Sequence, residues 1–180
     1  MKEIAKILIS AEELDAITTR IASEIDRDYK DVEGRVVLVC VLKGSIVFMG
    51  ELMKKVTVPV EIECVRVSSY GSGTTSQGKI DLSLDINRAD IAECNLIIVE
   101  DIIDSGLTLT YLTEHFMKKG AKSVRTVTLL DKPSRRKVEF KTDYVGCEIP
   151  DEFVIGYGLD YDERYRALPY VGVLDPSVYS

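Results

Sequence analysis

The sequence predicts an α/β fold in which a mostly parallel, twisted sheet is flanked by helices. Short apolar runs rich in β-branched residues alternate with segments of helical periodicity, which is the order expected of strands joined by crossover helices. The apolar runs are continuous, which is typical of strands buried on both faces. At 180 residues the chain suits one domain with a sizeable core.

Each element follows from its own local pattern. Ser10 and Glu13 form a capping box before apolar residues at helical spacing, which predicts a first helix beginning near Ala11. Further helices are predicted at 45–56 and at about 108–119, where a glycine ends the second of them. The apolar runs predict strands at 36–42, 59–67, 80–85, 95–100 and 123–130.

The composition limits the partners that the chain can bind. A net charge of −7 argues against nucleic acid, because polyanion binding depends on basic patches. No apolar run approaches the roughly 20 residues of a membrane span, and the first residues lack the pattern of a signal peptide. We therefore expect a cytoplasmic protein that binds neither nucleic acid nor a membrane.

The single histidine and the four cysteines exclude several kinds of site. His115 falls inside a helical pattern and is predicted on a helix surface, so neither a histidine-based triad nor a multi-histidine zinc site can be built. The cysteines lie far apart in sequence with no C-x-x-C pair, so we expect reduced core thiols. They are Cys40, Cys64, Cys94 and Cys147.

Residues 68–79, SSYGSGTTSQGK, interrupt the alternation of strands and helices. Glycine, serine and threonine dominate this stretch, which predicts a loop. The loop is either a solvated hairpin connection between the strands at 60–67 and 80–85 or a functional lid, since loops of this length are often functional. The residues alone leave both alternatives open.

The stretch LIIVEDIIDSGLTL, at 96–109, contains the strongest candidate site. In an open α/β sheet, ligands bind beyond the carboxyl ends of the strands, and this stretch is a strand, a turn and the start of a helix. Gly106 lets the backbone turn tightly. The free N–H groups of the turn, with the hydroxyls of Ser105 and Thr108, can then bind a phosphate.

Three carboxylates accompany this phosphate-binding turn. Glu100, Asp101 and Asp104 would repel a phosphate unless cations or sugar hydroxyls intervene. Glu100 and Asp101 suit the vicinal hydroxyls of a ribose, directly or through Mg²⁺, which prefers oxygen ligands. The alternative is that Asp104 and Ser105 only cap the helix while the other two acids are solvated at a strand end. The density of polar groups favours the ligand site.

Two of these stretches resemble a known family. VEDIIDSGLT, at 99–108, resembles the phosphoribosyl pyrophosphate signature of the type I phosphoribosyltransferases, and VLKGS, at 41–45, resembles their pyrophosphate loop. The chain around them is similar to the bacterial hypoxanthine-guanine branch from near the first helix to the C-terminal segment. The resemblance implies a Mg²⁺-dependent purine salvage enzyme, which transfers the 5-phosphoribosyl group of phosphoribosyl pyrophosphate to hypoxanthine or guanine and gives IMP or GMP and pyrophosphate.

The resemblance also implies an architecture. Within a single domain over 1–180, a small hood would be built from N- and C-terminal segments near 1–10 and 150–180, with a mobile lid at 68–79. The assembly would be a homodimer or a homotetramer. The family's cis peptide would lie between Lys43 and Gly44.

The same resemblance implies roles for residues on the phosphoribosyl pyrophosphate side. The contacts would come from Lys43, Gly44, Ser69, Tyr70, Glu100, Asp101, Asp104, Ser105, Gly106, Leu107, Thr108 and Arg166. Mg²⁺ would be held by Glu100, Asp101 and Asp160. Asp104 would be the general base that takes the proton from purine N7. Leu107 stands where some relatives have lysine, so phosphate binding here would depend more on backbone amides and hydroxyls.

The base side is implied by two further stretches, LLDKPSRR at 129–136 and FVIGYGLDYDERYR at 153–166. Lys132 would donate to O6 of the purine, and Phe153 would stack on the ring. The backbones of Val154 and Asp160 would meet the edge of the base. Two alternatives remain: a phosphoribosyltransferase that prefers xanthine or adenine, and a regulator that keeps the pocket as a sensor and binds nucleic acid. The acidic charge balance counts against the regulator.

Overall fold

Strands and helices alternate along the described parts of the chain. The computed structural model describes residues 3–69 and 80–179, without the side chain of Ser69. The helices are α1 (Ala11–Tyr29), α2 (Ile46–Met53) and α3 (Leu107–Lys118). The strands are β1 (Ile4–Ile9), β2 (Arg35–Leu42), β3 (Val60–Ser69), β4 (Ile80–Leu84), β5 (Cys94–Ile103), β6 (Ser123–Asp131), β7 (Tyr144–Glu148), β8 (Val154–Ile155) and β9 (Val171–Leu174).

Six strands form the central sheet, in the order β4-β3-β2-β5-β6-β7. Neighbouring strands are parallel except β3 and β4, which run antiparallel. Alternate residues of a strand face opposite layers. In β2, Leu38 belongs to the core cluster with residues of α1 and α2, whereas Val37 belongs to the cluster with residues of α3. This arrangement confirms the predicted fold class and explains why the apolar runs are continuous.

A second, smaller sheet is built from both ends of the chain. Its order is β1-β9-β8, and both pairs are antiparallel. Ile4 pairs with Leu174, and Val154 pairs with Val173. These strands form the hood that the family resemblance implies.

Helix α1 begins where the capping box predicts. The Ser10 hydroxyl accepts from the N–H of Glu13 at 3.2 Å, and the Glu13 carboxylate accepts from the N–H of Ser10 at 2.8 Å. The two bonds satisfy donors that the first turn of a helix leaves free. Helix α3 lies within one residue of its predicted position at both ends.

Two predicted boundaries are wrong. Helix α2 ends at Met53 and not at residue 56, because the N–H groups of Lys55 and Val56 both bond to the carbonyl of Leu52 and tighten the last turn. Strand β5 does not end at residue 100. It continues to Ile103, because β6 remains paired beside it to the end of the strand.

The predicted loop at 68–79 also begins too early. Ser68 and Ser69 belong to β3, where they pair with Asp81 and Ile80 of β4. Pairing with β4 supplies the backbone hydrogen bonds that extend β3 through these two serines. The rest of the loop, 70–79, lies outside the described residues, so the choice between a hairpin connection and a lid stays a prediction.

The structure also shows the helix lengths, the surroundings of the histidine and the state of the cysteines, on which the sequence made predictions. Within the described ranges, no helix combines the length and the apolar character that crossing a bilayer requires. His115 lies on α3 and is partly buried. Its Nε2 lies 2.9 Å from Asp85 Oδ2. All four cysteines are free, and Cys40 and Cys94 are buried.

Candidate active site

The candidate site lies where the central strands β2 and β5 end. The two strands are parallel neighbours, so the chain after Leu42 and the last residues of β5 meet at one edge of the sheet. Gly44 packs directly on Asp101: a Cβ built on Gly44 would lie 1.6 Å from Asp101 Oδ2. A larger residue at position 44 would therefore have to displace the Asp101 carboxylate or the loop backbone.

We expect Gly44→Ala to reduce turnover at least tenfold, because the added methyl group must displace the Asp101 carboxylate or the loop backbone. Overpacking of this kind typically destabilises a protein by about 1–3 kcal/mol. Gly50→Ala is the matched control, since a Cβ at Gly50, in α2, meets no atom of the described residues within 4 Å. Steady-state rates and thermal midpoints of both variants check the prediction. Equal activities in the two variants would contradict it.

The cis peptide bond lies one residue earlier than the resemblance implies. It joins Leu42 to Lys43 and not Lys43 to Gly44. The assignment to the Lys43–Gly44 bond is therefore wrong. At Gly44 itself, the feature that disfavours a side chain is the close approach of the Asp101 carboxylate.

The turn after β5 forms a small cup. Its cavity of about 30 Å³ is lined by Glu100, Ile102, Ile103, Asp104, Ser105, Gly106, Thr108 and Leu109. Gly106 has φ +81°, in the left-handed region that favours glycine. A Cβ there would lie 3.1 Å from Val138 and 3.2 Å from Arg136, so space also limits this position.

The N–H groups of the cup are held by neighbouring side chains. The N–H of Ser105 donates to Asp104 Oδ1, and the N–H of Leu107 donates to the Ser105 hydroxyl at 3.3 Å. Helix α3 begins at Leu107, with Gly106 in the N-cap position and no capping side chain there. Asp104 is therefore not the helix cap, and that part of the alternative is wrong, whereas the Ser105 hydroxyl does accept from the first N–H of the helix.

Glu100 and Asp101 are two partly buried carboxylates within β5 and not solvated groups beyond its end. Glu100 Oε2 is buried and has no hydrogen-bond partner among the described residues. Burial raises the pKa of Glu100 well above its usual range, and repulsion from Asp101 adds to the rise. Burial also raises the pKa of Asp101, although the N–H of Ile102, which donates to Oδ1 at 2.8 Å, opposes the shift. A proton, a cation or donor hydroxyls would each stabilise the pair.

Arg166 connects the hood to this edge of the sheet. Its Nη1 donates to the carbonyl of Gly158 at 2.8 Å, and its Nη2 lies 2.9 Å from Asp160 Oδ1. A Cβ on Gly158 would lie 2.1 Å from the carbonyl oxygen of Gly44, so the hood backbone touches the loop after β2. The charge of Arg166 also lowers the pKa of Asp101, against the larger effect of burial.

A second cation approaches from the loop after β2. Lys43 Nζ lies 2.9 Å from Glu163 Oε2, and Arg166 Nη2 lies 3.5 Å from the same oxygen. The lysine pairing lowers the pKa of the Glu163 carboxyl, and the charge of Arg166 adds to the effect. Two cations from different elements therefore meet around one carboxylate oxygen.

A larger cavity of about 450 Å³ lies beside the hood, a volume in the range of small-molecule pockets. Lys132 and Phe153 both line it. Lys132 is largely buried and donates to the carbonyl of Glu152 at 2.8 Å. Phe153 is 39 % exposed, with its ring 5.1 Å from Tyr179 and 5.7 Å from Tyr161. An apolar face next to a lysine suits a planar, polar-edged ligand.

The structure thus gathers the predicted site residues into three neighbouring groups. Glu100, Asp104, Ser105, Gly106 and Thr108 line the cup; Lys43, Gly44, Asp101, Asp160 and Arg166 adjoin the loop after β2; and Lys132 and Phe153 line the larger cavity. Leu107 joins the cup through its backbone. Val154 is buried in β8 and is absent from the described cavity lining. Tyr70 and the Ser69 side chain lie outside the described residues.

Sequence reasoning missed three contributors to these groups. Glu163 belongs to the 153–166 stretch, but nothing in its spacing separates it from its acidic neighbours. Tyr179 carries no local motif. Arg136 donates from Nη1 to the carbonyl of Asp104 at 2.7 Å, a contact between residues far apart in sequence that only the fold creates.

The chain is similar to known proteins in sequence and in fold. Residues 8–162 match the model of the phosphoribosyl transferase domain family. The chain is 48 % identical over 177 residues to the hypoxanthine-guanine phosphoribosyltransferase of Bacillus subtilis, covering 98 % of this chain and 97 % of the relative. The corresponding Mycobacterium tuberculosis protein is 41 % identical over 181 residues, covering 98 % and 89 %. Among solved structures, a hypoxanthine phosphoribosyltransferase from Staphylococcus aureus superposes with a TM-score of 0.93 at 41 % identity, covering 99 % and 96 % of the two chains.

Proposed function

This chain belongs to the phosphoribosyltransferase family, and we propose that it transfers the 5-phosphoribosyl group of phosphoribosyl pyrophosphate to hypoxanthine or guanine. The products are IMP or GMP and pyrophosphate. The observation that carries the proposal is the cup at 104–108, beside the partly buried acidic pair of Glu100 and Asp101. Relatives named hypoxanthine-guanine phosphoribosyltransferases, matched over nearly their whole length, support the choice of bases.

The cup suits the 5-phosphate of the sugar. Backbone N–H groups at a helix start favour an anion, and the hydroxyls of Ser105 and Thr108 add donors. In the structure, the N–H groups of Ser105 and Leu107 bond to local side-chain oxygens, so a phosphate would take over these donors. Because Leu107 supplies no charge, we propose that backbone and hydroxyl groups carry most of the phosphate binding.

The acidic pair fits Mg²⁺, which prefers hard oxygen donors and keeps several waters. Glu100 Oε2 is a buried oxygen that has no hydrogen-bond partner among residues 3–69 and 80–179, as a ligand to a cation or to ribose hydroxyls would be. No three His, Cys, Asp or Glu side chains converge as a metal site anywhere in 3–69 or 80–179, so substrate oxygens and water would complete the coordination shell. We propose Asp160, now paired with Arg166, as the third metal-linked carboxylate.

Each reacting atom then has a partner from the chain. Displacement of pyrophosphate from C1′ builds positive charge on the ribose ring, which the neighbouring carboxylates stabilise. Bound Mg²⁺ would neutralise the departing phosphate oxygens. Asp104 accepts the proton from N7 while N9 attacks, Lys132 donates to O6, and Phe153 stacks on the base. Lys43 and Arg166 pair with the pyrophosphate.

A screen of five bases tests the proposal most directly. The bases hypoxanthine, guanine, xanthine, adenine and uracil are each incubated with phosphoribosyl pyrophosphate and Mg²⁺, and nucleotide formation is measured. We expect turnover with hypoxanthine and guanine. Adenine should be rejected, because its amino group gives the Lys132 ammonium no acceptor and leaves a buried donor unpaired. Turnover with adenine or uracil alone would refute the proposed substrates.

Lys132→Ala should raise the KM for hypoxanthine and guanine far more than that for phosphoribosyl pyrophosphate. Loss of a hydrogen bond to a charged group is worth about 1.5–3 kcal/mol, which corresponds to a rise of roughly ten- to a hundredfold. Lys137→Ala is the matched control, since it removes the same charge from an exposed residue outside the cavity. Equal effects on the two substrates would mean that Lys132 lies elsewhere in the mechanism.

The proposed function also bears on the cellular location, the domain organisation and the oligomeric state of the protein. We propose a cytoplasmic enzyme, supported by four free cysteines of which two are buried. We also propose that residues 1–180 act as one catalytic domain in which 150–180 and 1–10 cover the base and 68–79 is a lid. The assembly is proposed to be a homodimer or a homotetramer, which sedimentation would test.

A further inference from the structure

Glu163 holds together two cations that belong to different parts of the fold. Its Oε2 accepts from Lys43 Nζ at 2.9 Å and lies 3.5 Å from Arg166 Nη2. Lys43 comes from the loop after β2, whereas Glu163 and Arg166 come from the hood. The carboxylate therefore occupies the position between these cations.

The contribution to folding stability is too small to explain why Glu163 lies between the two cations. The Glu163 side chain is 65 % exposed and that of Lys43 is 51 % exposed, and ion pairs this open to water add little to folding. The backbone of Glu163 is also unfavourable, with φ +61° in the left-handed region. Asp162 before it has φ +51°. An exposed, weak pair on an unfavourable backbone is easily displaced by a stronger anion.

The turn fixes the carboxylate in place. The N–H of Glu163 donates to Asp160 Oδ2 at 2.9 Å, and the backbones of Tyr161 and Arg164 bond to each other across the turn. Asp160 in turn pairs with Arg166. The hood thus presents Glu163 to Lys43 and Arg166 while leaving its side chain free to rotate into solvent.

We infer that Glu163 is an internal anion that neutralises Lys43 and Arg166 between turnovers and is displaced by the pyrophosphate group. The inference rests on the proposed function, in which these two cations bind the pyrophosphate of the substrate and product. Pyrophosphate carries several negative charges and so outcompetes a single carboxylate for two cations. When pyrophosphate departs, Glu163 returns, which keeps the cations from retaining the product.

Glu163→Gln tests the inference, because glutamine keeps the length and one acceptor oxygen but removes the charge. Calorimetric titration with pyrophosphate and Mg²⁺ gives the dissociation constant, and steady-state kinetics give the KM values. We expect pyrophosphate to bind roughly two- to fivefold more tightly, the range of an exposed ion pair, and the KM for phosphoribosyl pyrophosphate to fall in parallel. The KM for hypoxanthine should stay unchanged.

Asp162→Asn is the matched control. It removes one charge from the adjacent residue, which is also exposed and left-handed, and pyrophosphate affinity should stay at the wild-type value. Equal tightening in both variants would overturn the inference, since general electrostatics would explain it. Weaker binding by Glu163→Gln would overturn it too, because Glu163 would then position the cations for the ligand. The base screen on the wild-type protein judges the proposed function separately.

Discussion

Asp104→Asn should lower kcat by roughly 10²–10⁴-fold while leaving the affinity for phosphoribosyl pyrophosphate almost unchanged, which is the pattern expected when a general base is removed. Asp104 is exposed at the mouth of the cup, so a substrate can reach its carboxylate. Asparagine has the same shape and keeps Oδ1 as an acceptor for the N–H of Ser105. Only the basic oxygen is lost.

A purely structural role for Asp104 predicts a different result. If the side chain served only to hold the turn through Ser105, asparagine would replace it at little loss, and both rate and thermal midpoint would stay near wild type. The Asp104 carbonyl, which accepts from Arg136, is untouched by the substitution. Measuring kcat, the thermal midpoint and substrate affinity on one preparation separates the two roles. A wild-type kcat would remove Asp104 from the chemistry.

Strands β2 to β6 of the central sheet could be predicted from the sequence because their signals are local. The run VVLVCVL predicts a buried strand without reference to any other part of the chain. The capping box of Ser10 and Glu13, four residues long, predicts where α1 begins. Strand β7 gives no such signal. Its Gly146 is explained by packing, since a Cβ there would lie 2.2 Å from the carbonyl oxygen of Leu129. That contact joins residues distant in sequence.

In the site, too, some features could be predicted from local sequence and others depend on contacts between distant residues. Residues 100–108 form one continuous stretch whose composition points to a phosphate, so the cup could be predicted from the chain alone. The burial of Glu100 and Asp101 could not, because it depends on β6 running alongside beyond residue 100. The pairing of Lys43 with Glu163 joins residues 120 positions apart, so sequence spacing gives no hint of it.

Excess EDTA should abolish turnover, and added Mg²⁺ should restore it fully. Two adjacent, partly buried carboxylates next to a phosphate cup repel both each other and the substrate, so a highly charged pyrophosphate ester cannot settle there without cations. Complete loss is expected, because the metal is needed for binding as well as for departure of the leaving group. Undiminished turnover in EDTA would refute the assignment of the acidic pair.

The raised pKa of Glu100 predicts the direction in which the Mg²⁺ requirement changes with pH. Burial and mutual repulsion raise the pKa of Glu100, so a proton competes with the cation for its carboxylate as pH falls. Carboxylates must lose their protons to bind a metal, so the Mg²⁺ concentration for half-maximal rate should decrease as pH rises. Glu100→Gln removes the titrating carboxylate and its repulsion from Asp101. The metal-free variant should therefore have a higher thermal midpoint than the metal-free wild type. Its half-maximal Mg²⁺ concentration should also lose most of its pH dependence. A half-maximal Mg²⁺ concentration that follows pH equally in both proteins would show that another group, and not Glu100, sets the metal affinity.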